Sequence, residues 1–528
     1  MPQVTPAGKI WLLKNIPFDK KYNHTKYFAN SSAQHSWICS TSNPDHVIGA
    51  VKEGQNQIKD PLHGTIKAQA HQENLMSCNY LCWKNTSVDN ATQGQTLDFN
   101  NYAFVDDIRF VSSAVVEIDY TIDAIQTYLM QGKCAVGKSF IDRTHTQSDA
   151  VGDHIEPEPV SYGDYKFNKL SSLFADPSLI YLVFSGIDLD NLPTPSLMGD
   201  YQVMFPSRKG GMLQGCYVYA FETDVALSNK IGGLRTDLAE AIMAVISVPK
   251  MFVQYSNNLV SNVAAIQHDN ATGRYTNIDG ITPKNNKLFT FPFNMLEISN
   301  LEGTSKDYRW EYFSDVDNIK FNMTMSMTPD AEVIAYPKNY EGVTDDYDAR
   351  VTMSDFPRTM YMSSYFAQWM QDKGLSSILN GIMGAAGGAI LGGMPGAIMG
   401  GITGGISTGN EFTKAQCHPN GMHGSTQGNT ALTSMGVKNF YAYQKCLCKE
   451  DAKRIDNFFT RYGYALNTTG TVHFTNPRFN QHYVKTQNCV VTGGASSLAI
   501  EAIREAFDKG ITIWKNDVGN YTDLWNLD

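Results

Sequence analysis

The stretch between Lys373 and Glu411 sets the strongest limit on the fold of this chain. Its 37 residues contain no ionisable side chain, and 13 of the 43 glycines of the chain lie among them. A charge-free stretch of this length suits a hydrocarbon environment. Glycine, however, costs about 1 kcal/mol and proline about 3 kcal/mol per helical position in water relative to alanine. Residues 374–410, called the Gly-rich segment below, are therefore a poor helix in water.

The glycines of this segment recur at a helical spacing. Six of them are separated by steps of four residues, which keeps them near one face of a helix and lets two backbones approach closely, as in small-xxx-small pairs of membrane helices. The residues predicted for close helix packing are Gly384, Gly388, Gly392, Gly396, Gly400 and Gly404. The residues predicted for membrane insertion are Leu375, Ile378, Leu379, Ile382, Met383, Ile390, Leu391, Met394, Pro395, Ile398, Met399, Ile402 and Ile406.

Three interpretations of the Gly-rich segment stay open: a permanent membrane anchor, a soluble linker, and a segment that forms helices only in lipid. The pattern favours the third, because unsatisfied backbone groups in lipid force internal hydrogen bonding. Residues 375–391 would span about 25 Å as a helix, and Pro395 would lie in the turn of a hairpin. The polar, glycine-rich residues 417–436 are typical of the flexible return of a long loop.

Strand patterns outnumber helix patterns elsewhere in the chain. Apolar and polar residues alternate over 116–123 and again over 319–328, which predicts two half-buried strands. Residues 179–184 are continuously apolar, which predicts a strand covered on both faces. Helices are predicted from Thr236 to the residue before Pro249, and from Ser497 to Gly510. The fold class predicted is mainly β with a few helices.

Composition excludes several classes of protein. The chain has 528 residues, 42% hydrophobic and 18% charged, which excludes a disordered chain and a coiled coil and predicts several domains. A net charge of −10 argues against a protein that grips nucleic acid by neutralising phosphates. The N-terminus shows no secretion signal, so we expect synthesis in a reducing cytosol. The nine cysteines lack zinc-ribbon spacing and are predicted to be buried thiols.

One motif points to a different function. Residues 132–139, GKCAVGKS, satisfy the P-loop pattern, which alone predicts an NTPase. A P-loop must open a helix, however, and residues 140–145 show no helical periodicity. The acidic pairs at 106–107 and 345–346 are predicted to be solvated turn residues, and Asp188 is a weak magnesium candidate. No catalytic arrangement, metal site or cofactor is predicted. A P-loop NTPase and a free pore-forming toxin remain the alternative functions.

Several short motifs occur in the order found in one viral family. The chain resembles the tail knob, or distal tail tube, proteins of phi29-type short-tailed bacteriophages. The matching motifs are IPF at 16–18, EID at 117–119, IQTY at 125–128, FIDRTH at 140–145, SSILNGIMG at 376–384, FFTRYGY at 458–464, FDKGITIW at 507–514 and GNY at 519–521. These motifs span most of the chain.

The resemblance implies a structural protein rather than an enzyme. Such proteins form a homo-hexameric tube at the tip of the virion tail, with β tube domains and outer knob domains. Their hydrophobic loops plug the lumen and then form a pore in the host membrane for genome ejection. The implied partners are other copies of the chain, other tail and collar proteins, the host membrane, and DNA that passes through the lumen without sequence-specific binding.

Four domains are predicted with this family in mind. They are a first β tube domain at 1–165, a knob or insertion domain at 166–300, a second β tube domain at 301–365 with 437–528, and a hydrophobic membrane-active loop at 366–436.

Overall fold

The computed structural model describes most of the chain outside the Gly-rich segment. The described residues are 7–39, 47–51, 62–69, 75–89, 95–112, 115–176, 178–186, 188–190, 217–232, 242–270, 274–328, 330–342, 349–354, 356, 358–360, 425–427, 438–472 and 480–515.

Strands make up most of the regular structure. In chain order they are β1 Ala7–Lys14, β2 Thr25–Lys26, β3 Val47–Val51, β4 His63–Gln69, β5 Cys78–Asp89, β6 Gln95–Ser112, β7 Val115–Ile122, β8 Cys134–Val136, β9 Ser139–Thr144, β10 Tyr165–Ser172, β11 Leu179–Ser185, β12 Tyr217–Phe221, β13 Ile242–Pro249, β14 Val253–Ser256, β15 Leu259–Val263, β16 Ile266–Asn270, β17 Asn294–Ser299, β18 Ser305–Arg309, β19 Ile319–Met325, β20 Val333–Pro337, β21 Val351–Met353, β22 Arg358–Met360, β23 Ser425–Gln427, β24 Tyr441–Leu447, β25 Tyr464–Gly470, β26 Gln481–Gln487, β27 Val491–Gly493 and β28 Ile511–Trp514.

Helices are fewer, which confirms the predicted fold class. The α-helices of the described residues are α1 Ser31–Ile38, α2 Asp224–Gly232, α3 Lys449–Tyr462 and α4 Ser497–Lys509. Shorter helical turns cover Ile125–Leu129, Lys250–Phe252, Asn286–Phe289 and Trp310–Tyr312.

The chain divides into two compact units. The first contains residues 1–162, 281–288 and 449–528, and the second contains residues 163–280 and 289–448. The four domain limits predicted from the sequence stay predictions.

The first unit is built on two larger sheets. One has the strand order β3-β1-β5-β6-β7-β4 and the other has the order β2-β28-β26-β9-β25, while β27 pairs with β8. The six-stranded sheet is covered on both faces, because Tyr80 and Cys82 of β5 belong to one apolar cluster and Leu81 and Trp83 belong to another. Helix α1 contributes the buried Ile38 to the first of these clusters.

The second unit contains three sheets around one large apolar core. Their strand orders are β10-β24-β17-β18, β14-β15-β12-β11-β13-β22-β23 and β16-β19-β20-β21. In the seven-stranded sheet β11 lies between β12 and β13, and every residue of β11 after Leu179 is buried. The predicted strand with two covered faces is therefore confirmed.

Both half-buried strands predicted from alternation are also confirmed. Buried and half-buried residues alternate strictly along β7 and along β19. Strand β19 ends at Met325, so Met327 lies beyond it and is exposed.

One of the two predicted helices is confirmed over its range, but the serine that caps it is Ser496 and not Ser497, with which the prediction began. Helix α4 begins after Ser496, whose hydroxyl accepts a hydrogen bond from the Ala499 N–H at 3.3 Å, and it ends at Gly510. Gly510 has φ of +98°, and a Cβ there would lie 2.1 Å from the Tyr483 hydroxyl oxygen. Glycine is therefore required at this end both by backbone conformation and by space.

The predicted helix from Thr236 to Pro249 is wrong over the described part of its range. Residues 242–249 form β13, which pairs with β11 on one side and β22 on the other. Thr236 lies outside the described residues. A mostly apolar run satisfies helical spacing by chance, because almost every position of the run is apolar, and the run is buried in the sheet.

Candidate functional site

The Gly-rich segment is bracketed by two paired strands. Strand β22 pairs on one side with β13 and on the other with β23, both antiparallel, and Met360 lies opposite Ser425. Residue 360, the last of β22, and residue 425, the first of β23, therefore lie at the same end of this strand pair. Antiparallel neighbours lie about 4.8 Å apart, so residues 360 and 425 are held side by side. Strands β22 and β23, with the contacts around them described next, are called the loop base below.

The predicted site residues themselves belong to this bracketed stretch. All the residues predicted for membrane insertion and close helix packing, from Leu375 to Ile406, lie outside the described residues. Among the helices that the structure describes, none is both long enough and apolar enough to cross a membrane.

The loop base also includes the buried contacts of Lys438, a residue that follows β23 in the chain. Its ammonium donates to the backbone carbonyl of Ser354 at 2.5 Å and lies 3.1 Å from a carboxylate oxygen of Glu302. The same Nζ lies 5.0 Å from the centroid of the Phe356 ring. The Lys438 side chain is only 5% exposed. A buried ammonium needs such partners, because an unpaired charge is costly away from water.

The residues after Lys438 are fixed to the core of the second unit. The Asn439 side-chain oxygen accepts from the Phe174 N–H at 3.0 Å, and the Phe440 carbonyl accepts from the Leu173 N–H at 2.8 Å. The Phe440 ring is fully buried and packs edge-to-face on Phe174. Strand β24 then pairs with β10 and β17, so the chain is fixed in a sheet within a few residues of Lys438.

The P-loop-like motif has a different local structure from a nucleotide site. Residues 134–136 form β8, and Ser139 begins β9, at the point where a P-loop would begin a helix. The Ser139 hydroxyl donates to the Gly137 carbonyl at 3.0 Å and accepts from the Val490 N–H at 2.9 Å. The hydroxyl therefore stabilises a turn between two strands. This agrees with the sequence analysis, which predicted no helix after the motif.

The acidic residues considered for metal or acid–base chemistry have local partners. Asp106 pairs with Lys20 at 2.5 Å, and Asp188 accepts from the Tyr219 hydroxyl at 2.7 Å. Asp106 and Asp107 lie in β6, so their prediction as turn residues is wrong. A register shift between Val105 and Asp107 marks a β-bulge or irregularity at this pair. The pair at 345–346 lies outside the described residues.

The cysteine prediction is confirmed where the structure describes the residue. Cys39, Cys78, Cys82, Cys134, Cys446 and Cys489 are buried free thiols, and Cys448 is half-buried. Burial raises the pKa of the Cys78 thiol to about 11, because an ionised sulfur is disfavoured in an apolar environment.

The sequence did not reveal the loop base. Lys438 is separated from Glu302 and Ser354 by long stretches of chain, and a lysine followed by Asn439 carries no local signal for burial. Strands β22 and β23 are only three residues long, too short for a periodic pattern.

Comparisons with known proteins agree with the fold. The family model described as Bacillus phage phi29, Tail knob protein gp9, C-terminal domain matches residues 253–524, and the Caudoviral major tail protein N-terminus matches residues 6–133. The tail knob protein gp9 of Bacillus phage phi29 is 23% identical, with 97% of each chain covered, and that of Bacillus phage PZA is 21% identical with the same coverage.

A solved structure shows the same architecture. The bacteriophage C1 tail knob protein, gp12, superposes with a TM-score of 0.59 over 98% of this chain and 99% of that chain, at 14% identity. The order of motifs, the β-rich fold and a family model that covers more than half of the chain therefore lead to one assignment: this structural tail protein belongs to the phi29 gp9 tail knob family of bacteriophages.

Proposed function

We propose that this protein forms the distal part of a phage DNA-ejection conduit, and that its Gly-rich segment plugs the lumen and then enters the host membrane as a pore for genome passage. The protein acts structurally and not as an enzyme. It is made in the host cytoplasm and assembles at the tip of the virion tail with other tail and collar proteins.

The observation that carries this proposal is the loop base. Strands β22 and β23, which flank residues 361–424, are antiparallel neighbours in one sheet. The large apolar cluster of that unit contains side chains of β11, β13, β17 and β19. A loop whose two ends are fixed on adjacent strands of a packed sheet can be released without unfolding that sheet, which is what a releasable plug requires.

The chemistry of the segment supports membrane entry. A stretch of 37 residues without an ionisable group carries no charge that would have to be transferred into hydrocarbon. Helices in lipid satisfy their backbone groups internally, so the helical cost of glycine in water is partly offset there. The four-residue glycine spacing then gives paired helices a close contact surface.

We propose that the conduit is a homo-hexamer. Six copies at −10 each give −60 formal charges, and a net negative tube lets DNA slide without binding its phosphates. Native mass spectrometry of the assembled protein tests the copy number, and a stable assembly with another number of copies would contradict the hexamer.

Dye release from liposomes tests the membrane role. The intact protein is compared, across a pH series, with a variant whose residues 374–410 are replaced by a polar Gly/Ser/Asn linker of the same length, which leaves β22 and β23 connected. We expect release by the intact protein alone, with both proteins showing the same β-rich circular dichroism.

A second variant separates apolarity from the presence of a long loop. In Ile382→Asp the glycine series is intact, but a charge enters near the middle of the predicted span 375–391, where it costs about 3 kcal/mol. We expect this variant to lose release. Equal release by all variants, or none by the intact protein under any condition, would overturn the membrane-entry part of the proposal and assign passage to another tail component.

A further inference from the structure

Two cysteines and a histidine meet inside the first unit, away from the loop base. His35 and Cys39 lie four residues apart at the end of α1, and Cys82 lies on β5. One nitrogen of His35 and the two sulfur atoms all lie within 4.8 Å of one another. The Cys82 Sγ lies 3.8 Å from the His35 Nδ1.

The fold brings these three side chains together from two elements. Cys39 is the C-cap of α1 and its N–H donates to the His35 carbonyl at 2.8 Å, so the two residues follow one another on the same side of the helix end. Strand β5 is an inner strand of the six-stranded sheet, where Cys82 lies opposite Trp11 of β1 and Tyr102 of β6. The Trp11 ring packs edge-to-face on the His35 ring, with centroids 5.1 Å apart, and so holds the imidazole over the sheet.

The surroundings of the cluster are protected from water. Cys39 is 6% exposed and Cys82 is fully buried. Tyr102, the cross-strand neighbour of Cys82, is also fully buried, and its hydroxyl has no hydrogen-bond partner among the residues that the structure describes. Such a buried hydroxyl normally has a partner, and a buried water would supply one.

The ligand types select the ion. Two thiolates and one imidazole match Zn²⁺, which takes tetrahedral sulfur and nitrogen ligands and leaves a fourth position open when only three come from the protein. With Zn–S near 2.3 Å and Zn–N near 2.0 Å, ligand atoms of a tetrahedral site lie roughly 3.5–3.8 Å apart. The Cys82–His35 separation already has this value.

We propose that His35, Cys39 and Cys82 bind one Zn²⁺ ion, which fixes α1 on the six-stranded sheet. Binding replaces the protons of both thiols, so that two thiolates neutralise the dication and two protons are released to solvent. A water can complete the fourth position, as at other zinc sites with three protein ligands. The role of the ion is structural, and the inference does not depend on the proposed membrane function.

Sequence patterns alone missed this site. Zinc ribbons are recognised by pairs of closely spaced cysteines, whereas here a His-x3-Cys pair on a helix is completed by one strand cysteine that lies 43 residues further along the chain.

Metal content of the full-length protein tests the proposal. The chain is purified under reducing conditions, incubated with Zn²⁺ alone, passed through gel filtration and measured by inductively coupled plasma mass spectrometry. We expect about one Zn²⁺ per chain, with loss of bound Zn²⁺ in Cys39→Ser and in Cys82→Ser. The matched control is Cys78→Ser, which removes another buried thiol from the same strand and should keep the metal.

Cobalt substitution keeps the test valid if a serine variant fails to fold. Co²⁺ added to the intact protein should produce the sulfur-to-cobalt charge-transfer band and the visible bands of tetrahedral thiolate coordination. Three results would overturn the proposal: no bound metal with all thiols free, a Cys39–Cys82 disulfide in the unreduced protein, or equal metal loss in Cys78→Ser.

Discussion

Lys438 donates a hydrogen bond to the backbone carbonyl of Ser354, and this bond ties the chain before β22 to the chain after β23. The two residues are 84 positions apart, and the Gly-rich segment lies between them. Glu302, from the turn after β17, holds the same ammonium at 3.1 Å. One buried cation therefore connects the chain just before β22 with the chain after β23.

Replacing this cation should loosen the loop base. In Lys438→Met the Ser354 carbonyl and the Glu302 carboxylate lose their shared donor, and we expect the unfolding free energy to fall by about 2 kcal/mol. Hydrogen exchange should be faster in the amides of residues 351–360. The control is Lys445→Met, which removes an ammonium paired with Glu297 and Asp307 in the same unit. Equal acceleration of residues 351–360 in both variants would contradict a specific role for Lys438.

Substituting two adjacent glycines one at a time distinguishes close helix packing from the apolar character of the segment as a whole. Gly388 belongs to the four-residue series and Gly387 does not, although the two are neighbours in the chain. Leucine at either position adds the same apolar surface and the same helix propensity. If helices of the segment pack through the series, Gly388→Leu should reduce dye release from liposomes about tenfold, or roughly 1.4 kcal/mol. Gly387→Leu should stay close to the unmodified protein, and identical losses would rule out the proposed packing face.

Elements with strong local patterns were predictable from the sequence. Strand β7 shows uninterrupted alternation, and α4 combines a serine cap with a glycine end, so local physics and the final fold agree. Strand β13 was mistaken for a helix because its environment, buried between β11 and β22, is set by distant residues. Helix α3 was missed although it has acidic residues in its first turn and buries Ala452, Ile455 and Phe459 at helical spacing.

The candidate site likewise has one part that the sequence predicts and another that depends on the fold. The charge-free, glycine-rich composition of the Gly-rich segment is a property of consecutive residues and is visible in the sequence. The loop base and the His35–Cys39–Cys82 cluster each depend on side chains that only the folded chain brings together. Spacing rules cannot detect such contacts, because they compare only residues that are close along the chain.

A buried carboxyl in the first unit should make stability depend on pH. Burial raises the pKa of Asp123 to about 7, although hydrogen bonds from the Gln126 N–H and the Tyr80 hydroxyl act in the opposite direction. Between pH 4 and pH 7 the folded state therefore keeps a proton that the unfolded state has lost. The unfolding free energy should fall as pH rises through this window and be lowest above about pH 7.

Asp123→Asn tests this dependence. An asparagine oxygen can accept from Gln126 while its amide donates to the Tyr80 oxygen, so both contacts can be kept without a titrating group. Relative to the unmodified protein, the variant should gain stability as pH rises from 4 to 8, by an amount on the order of 3 kcal/mol. Chemical denaturation at each pH measures the difference. The exposed Asp107→Asn serves as control, and a difference for Asp123→Asn that is constant with pH would refute the assignment.

Glu158 is the centre of a buried ion cluster in the first unit. Its side chain is fully buried, forms an ion pair with Arg143, and lies 3.8 Å from the Lys287 ammonium. Its second oxygen also accepts from the Ala465 N–H at 2.9 Å, which secures the start of β25. Arg143 in turn donates to the Gly463 carbonyl at 2.6 Å, where α3 ends. The Glu158 carboxylate and its partner Arg143 therefore connect the end of α3 and the start of β25 to β9.

Glu158→Gln should be strongly destabilising, because two buried cations lose their shared anion while the shape of the site is kept. Removing one partner of a buried ion pair costs about 3–5 kcal/mol, and a second cation at the same carboxylate places the expected loss at the upper end of that range. Glu156→Gln is the matched control, since Glu156 is exposed and only its backbone carbonyl accepts from Lys287. Hydrogen exchange of the α3 and β25 amides at increasing denaturant would report on the first unit, which contains both positions. A loss below about 1 kcal/mol for Glu158→Gln would mean that water or a rearranged side chain replaces the carboxylate, and that the cluster is not needed to hold α3 and β25 together.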